Sequence, residues 1–425
     1  MARRWLNCGG PAAIALLVVA GCGGPYGGEL VKSGKQRVRS PAVPAADLQA
    51  QVSSNTAFAV DFYHQLRGDG GNLFFSPYSL SAALAMLHAG ARGETERQLA
   101  AALRFGLPQS RLHPVFNKLD LELQSRGENS EAADGDAFRL NVVNATWGQQ
   151  GYRFLTPYLD TLSMNYGAGM RLLDFSTQPE PSRQIINRWV EYHTEDRIKE
   201  LIPEGKIEPS TVLVLTNAIY FNAAWADPFE TGDTRSSPFF LLDDTQISVP
   251  SMSGGMDGGY YKGSGFQAAS LPYDGHQLSM LVLVPDRGTF EAFESGLTGT
   301  QLETIVKNLS SAQVLLSLPR FEFETEVDCE QPLKALGMID AWGGEANLSG
   351  IDGTRELFVQ AVLHKAFVKV DEAGTEAAAA TAVLVGRTSG PPQTVTLKID
   401  RPFIFLIRDH ATGAVLFLGR VVRPG

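Results

Sequence analysis

Apolar positions recur with helical spacing in the first part of the chain, and run together or alternate in the second. From about Asp47, Phe58, Phe62 and Leu66 sit four residues apart, and Gly68 to Gly71 break the pattern. The next stretch, NLFFSPYSLSAALAMLHAGARGETERQLAAAL, predicts two helices. Ser76 is placed to cap the first, with Pro77 at its first position, Leu80, Leu84 and Leu87 as the apolar stripe and Gly90 past the end. Thr95 is placed to cap the second, which runs through Leu103. Gln124 to Asp136 is polar and acidic and predicts a surface loop; Phe138 to Trp147 predicts a strand. Tyr158 to Tyr166 and the amphipathic run Ile185 to Glu200 predict helices. VLVLTNAIYF, Val212 to Phe221, is an almost unbroken apolar run, the pattern of a strand buried on both faces, and Asn217 within it requires hydrogen-bond partners. Strands follow at Leu278–Val284, Val314–Leu318, Phe321–Thr325, Phe358–Val370, Val395–Ile399, Phe403–Arg408 and Val415–Val421, with a short helix from about Gln331. Helices early and strands late predict an α+β fold, and the length allows one large domain or two smaller ones.

One stretch contradicts its own local preferences. From Asp371 to Pro392 the chain reads DEAGTEAAAATAVLVGRTSGPP. The alanines favour helix, Val383-Leu384-Val385 favours strand, and Gly386 onward is loop chemistry. Read with period two, Thr375, Ala377, Ala379, Thr381, Val383 and Val385 share one face, uncharged and small at its leading end. The segment is suited to being an exposed loop that also becomes a strand; an Ala-rich linker is the plainer alternative.

The composition, 44% hydrophobic over 425 residues, suffices for a large core, and a net charge of −10 argues against a nucleic-acid binder. The N-terminus changes the picture more. Arg3 and Arg4 precede a short apolar run, Ala12 to Ala20, that ends in Val19-Ala20-Gly21-Cys22. This resembles a bacterial lipobox, in which the chain is cut before the cysteine and the thiol is lipidated. The resemblance implies a signal peptide over residues 1–21, a lipid anchor at Cys22 and a place in the bacterial cell envelope outside the cytoplasm; the Gly-, Pro-, Ser- and charge-rich composition that follows reads as a flexible tether through residue 45. Lys32, Lys35, Arg37 and Arg39 lie in that tether, within reach of anionic headgroups or simply solvated. With Cys8 in the removed segment and Cys22 lipidated, Cys329 is left alone and no intrachain disulfide is expected.

No G-x-S-x-G, H-E-x-x-H, C-x-x-C or G-K-[ST] motif occurs, and the seven histidines are scattered, so no catalytic set, metal or cofactor is expected. Gly263-Ser264-Gly265 reads as a glycine turn. The stretch VLHKAFVKVDEAGTEAAAAT, the terminal RPFIFLIRDHATGAVLFLGRVVRP, NAIYF with Trp225 and Phe229 after it, and the wording around Ser76 together closely resemble the serpin family of suicide-substrate protease inhibitors.

That resemblance implies the serpin fold as one continuous domain over residues 46–425: a helical N-terminal part, a large mixed β-sheet, further sheets, and an exposed reactive loop over about residues 371–394. It implies a monomer whose partner is a serine protease, with cysteine proteases as further targets, held as a covalent acyl complex while the cut loop enters the large sheet. A serpin scaffold without inhibitory activity, acting as a binding or chaperone-like module, is the alternative. By resemblance, Glu372, Gly374, Thr375, Glu376, Ala377, Ala378, Ala379 and Ala380 form the hinge. Asn72, Ser76, Ser79, Asn217 and His364 match a polar cluster beneath the opening sheet, and Trp225 matches the tryptophan at its top. The commonest family spacing puts the cut at Thr388-Ser389. A loop one residue shorter puts it at Arg387-Thr388, where the guanidinium suits a trypsin-like protease. Both registers stand.

Overall fold

The computed structural model describes residues 28–126, 138–375 and 393–425. In the first of these stretches the elements are β1 (Glu29–Val31), α1 (Ala45–Leu66), β2 (Leu73–Phe75), α2 (Pro77–His88), α3 (Gly93–Ala102) and α4 (Gln109–Gln124). The second stretch opens with β3 (Phe138–Gln149), α5 (Thr156–Tyr166), β4 (Met170–Leu173), α6 (Pro179–His193) and β5 (Leu213–Ala224). It continues with β6 (Arg235–Phe240), β7 (Gln246–Gly263), β8 (Phe266–Pro272), β9 (Leu278–Pro285), α7 (Phe290–Gly296) and α8 (Gly299–Lys307). Then come β10 (Ser310–Pro319), β11 (Phe321–Asp328), α9 (Glu330–Ala335), α10 (Ser349–Asp352), β12 (Val362–Val370) and β13 (Gly374–Thr375). The last stretch holds β14 (Gln393–Lys398), β15 (Phe403–Asp409) and β16 (Val415–Val421).

Two sheets carry the architecture. A seven-stranded mixed sheet has the order β1-β4-β3-β5-β13-β12-β11, and a nine-stranded sheet runs β14-β10-β7-β8-β9-β15-β16-β2, with β6 on β7. β5 is buried along its whole length, as its apolar run predicts. α2 is apolar on every side and buried at every residue, and it packs on β3, β5 and β16, between the two sheets. Ser76 caps it as expected, its hydroxyl accepting from the Ser79 N–H at 3.1 Å.

Several expectations are corrected. Thr95 is not a cap: α3 begins at Gly93, and the Thr95 hydroxyl accepts instead from the Asn347 N–H at 2.9 Å. The helix expected over Ile185–Glu200 starts six residues earlier, with prolines in its first turn, and stops at His193, because Glu195 and Asp196 turn to φ of 51° and 61°. β6, β7 and β8 and the helix α4 were not anticipated, although Leu112, Val115, Phe116, Leu119 and Leu123 of α4 have helical spacing. In β7, Gly254, Gly255, Gly258 and Gly259 remove the alternation; at Gly258 a Cβ would lie 2.2 Å from the Ser270 carbonyl oxygen, so a close strand approach demands glycine.

The tether reading fails for residues 28–45. β1 pairs antiparallel with β4, and the Val38 N–H donates to Met164 O at 2.9 Å. The Arg37 guanidinium donates to Asn117 Oδ1 at 2.8 Å and to Asp120 Oδ2 at 2.5 Å. Composition alone reads this Gly- and charge-rich segment as solvated; its ties to α4 and α5 are tertiary.

Candidate functional site

The seven-stranded sheet is divided at one end. β5 and β12 pair directly and in parallel over Leu215–Ile219 and Val362–Ala366. Beyond that, β13 sits between them, antiparallel to both, with Thr375 opposite Ala223 and Val370 and Gly374 opposite Ala224. A Cβ on Gly374 would stand 2.2 Å from the Ala223 carbonyl oxygen, so only glycine fits where the chain enters.

The entering residues are held from several sides. Trp225 is 1% exposed, and its indole N–H donates to Asp371 O at 3.0 Å while its backbone N–H donates to Ala373 O at 2.9 Å. Its ring stacks on Tyr273 at 4.8 Å, and the Tyr273 hydroxyl meets the Thr375 hydroxyl at 2.7 Å. The Glu372 carboxylate accepts from the Thr234 hydroxyl at 2.5 Å and faces the Arg320 guanidinium at 3.6 Å. Trp225, Glu372, Gly374 and Thr375 are therefore brought together as expected. Tyr273, Thr234 and Arg320 come from distant segments and had no local signal. Glu376, Ala377, Ala378, Ala379, Ala380, Arg387, Thr388, Ser389 and Cys22 lie outside the described residues.

Further down the same strands lies a polar row. Asn144 on β3, Asn217 on β5 and His364 on β12 are direct register partners across three strands. Asn217 Nδ2 donates to the Ser79 hydroxyl at 2.6 Å and to Asn144 Oδ1 at 2.5 Å. The Ser79 hydroxyl donates to Asn144 Oδ1 at 3.2 Å, and the Ser76 hydroxyl donates to Leu416 O at 2.7 Å. The Ser76 N–H can only donate, and it reaches His364 Nε2 at 3.1 Å, so the imidazole carries its proton on Nδ1 and gives it to Asn217 Oδ1. Four of the five residues expected to cluster do so. Asn72 does not: its side chain bonds Val422 and Arg423 and pins the C-terminal segment. Asn144 completes the row and was missed, because a single asparagine in a strand does not reveal which residue faces it.

Burial holds the His364 imidazole down to a pKa of about 3. The unfolded chain takes up this proton near the ordinary value of about 6.5, before the folded one does. The contribution of neutral His364 is therefore full above that value and is lost as pH falls towards 3, at about 1.4 kcal/mol per pH unit. His364→Asn should flatten part of the acid side of the stability profile. Denaturant melts of both proteins at pH 7.5 and pH 5 measure it, and parallel losses would show that His364 does not carry the effect.

Among the described residues no group of three or more His, Cys, Asp or Glu side chains is placed to hold a metal ion. Cys329 is buried, which pushes its thiol pKa up and leaves it a packing residue.

The protein-family description "Serpin (serine protease inhibitor)" matches residues 53–424. The chain is 38% identical to an uncharacterized serpin-like protein of Thermococcus kodakarensis, covering 88% of this chain and 85% of the relative. It is 37% identical to the leukocyte elastase inhibitor of Sus scrofa, covering 88% and 99%. The crystal structure of the thermophilic serpin tengpin in its native state superposes with a TM-score of 0.79 at 26% identity, covering 92% of this chain and 97% of that one. A divided sheet entered by a Gly-Thr hinge, a buried polar row beneath it, and similarity that spans most of the sequence lead to one conclusion: the chain belongs to the serpin family.

Proposed function

We propose that this protein is a suicide-substrate inhibitor of serine proteases, with cysteine proteases as further targets. The observation that carries the reading is the position of Gly374 and Thr375, already set as the first pair of a strand between β5 and β12. Extending both registers supports it. Thr375 opposite Ala223 and Val370 implies that a continuing strand sets Thr381 between Asn217 and His364. The two registers agree on the same residue, and the hydroxyl would enter the polar row as the His364–Asn217 bond parts. Val385 would then lie opposite Leu213, the first residue of β5, so that about ten residues fill the gap and Arg387 stays outside the strand.

The chemistry belongs to the protease. Its serine oxygen bonds to the carbonyl carbon of the bait residue, the C–N bond breaks, and the leaving amine takes the proton. The loop is then free to insert, the serpin mode of strand addition, and carries the acyl-linked protease with it, so that water does not complete the hydrolysis. Inhibitory serpins act as suicide substrates rather than turnover enzymes. The family also includes non-inhibitory members such as ovalbumin and thyroxine-binding globulin. A non-inhibitory binding role is the second reading, and the uncharged, small leading face of the loop weighs against it. Lipidation at Cys22 would hold the protein in a bacterial cell envelope as a monomer.

Incubation with a panel of serine proteases should give a band on a denaturing gel at the summed mass of both proteins less the released C-terminal peptide. Mass spectrometry of the released peptide should place the cut at Arg387-Thr388 or Thr388-Ser389. Cleavage without a covalent band for every protease tested would favour the non-inhibitory reading.

A further inference from the structure

We infer that the β1 end of the large sheet, with the basic segment that follows it, is a docking surface for an anionic phospholipid bilayer. The inference rests on the lipid-anchor reading of Cys22 and says which way the anchored domain faces.

The chain beyond the described residues is short on this side. Only five residues separate Cys22 from Gly28, a reach of about 20 Å even when fully extended. At Glu29 the chain is already fixed to the sheet. It pairs with Leu172, which pairs with Gly148, which pairs with Leu213. This row is the opposite end of the sheet from the hinge, where Thr375 is opposite Ala223 and Ala223 opposite Phe138. From Gly148 to Phe138 is ten residues of one strand, about 33 Å. A lipid on Cys22 therefore holds the β1 end close to the bilayer, and the hinge end away from it.

The segment that follows leaves this row along the outer edge of the sheet, with Val31 already opposite Met170 and Met170 opposite Thr146, and carries the charge the bilayer requires. The protein as a whole carries −10, yet residues 28–40 contain one acid, Glu29, and four bases, Lys32, Lys35, Arg37 and Arg39. Asp120 is taken up by Arg37, and Asp160 by the Ser33 hydroxyl and Lys35. Lys32 and Lys35 are exposed, and Arg39 is exposed without a partner among the described residues. Lys32 and Arg39, without an acid partner among the described residues, line a concavity of about 460 Å³ together with Lys35, Arg37, Ser163 and Tyr166. Juxtamembrane bases near an anionic surface are drawn to it over about one Debye length.

The test uses the full-length lipidated protein in phosphatidylcholine vesicles and in vesicles with added phosphatidylglycerol, probed by acetylation of lysine. Lys32 and Lys35 should react at least about threefold more slowly on the anionic vesicles and recover in about 1 M salt, where the Debye length falls to ~3 Å. Lys262 and Lys307, exposed on β7 and α8, should not change. With the lipid confirmed on Cys22 by mass, equal labelling on both vesicles overturns the docking surface and leaves the anchor standing. A protein with no lipid on Cys22 overturns both.

Discussion

Nicking the loop should raise the unfolding temperature by more than 10 °C; at roughly 2.1 cal/mol/K per residue, that corresponds to about 8 kcal/mol in a domain of this size. In the intact protein β5 and β12 hold each other over Leu215–Ile219 and Val362–Ala366 only, and diverge around the two residues of β13. The intact loop cannot enter further while its far end is fixed to β14, whose Gln393 pairs with Ala312 on β10. Cleavage removes that constraint. A strand placed between β5 and β12 then gains main-chain hydrogen bonds on both sides at the centre of the sheet. Calorimetry of intact and nicked protein reads the difference directly. An equal or lower value after nicking contradicts insertion.

Thr375→Arg should convert the inhibitor into a substrate, with the covalent fraction falling at least tenfold while cleavage continues. Thr375 is 1% exposed, bonded to Tyr273 and flanked by Ala223 and Val370. An arginine there has no carboxylate to meet: Tyr273 is stacked under Trp225, and Glu372 is already engaged by Thr234 and Arg320. Burying an unpaired guanidinium costs several kcal/mol, and it falls on the first step of insertion. Each delay gives water time to release the protease. The ratio of covalent complex to cleaved protein measures the competition, and an unchanged ratio would remove Thr375 from the insertion front.

Much of this was legible in the sequence, for reasons that differ by residue. Ser76 was readable because capping is local, and Asn217 because an amide in a buried apolar run must be satisfied. The stretch from Asp371 to Pro392 stood out because its helix, strand and loop preferences disagree, while the hinge residues within it came from the family resemblance. Asn144, Tyr273, Thr234 and Arg320 were not, because their roles depend on which strand lies beside which, and registers between distant strands leave no mark on any one of them. The glycines of β7 hid a strand by removing the side chains whose alternation would have revealed it. Asn72 shows the converse failure: matching a family position did not bring it into the row, because its amide satisfies the backbone of Val422 and Arg423.

A crystal structure of the loop-cleaved protein tests the central claim most directly. The two registers around Thr375 predict that Asn217 and His364, direct partners in the intact sheet, are separated by an added strand with Thr381 between them and Val385 opposite Leu213. A cleaved protein in which Asn217 and His364 still pair, with the cut loop outside the sheet, would contradict it.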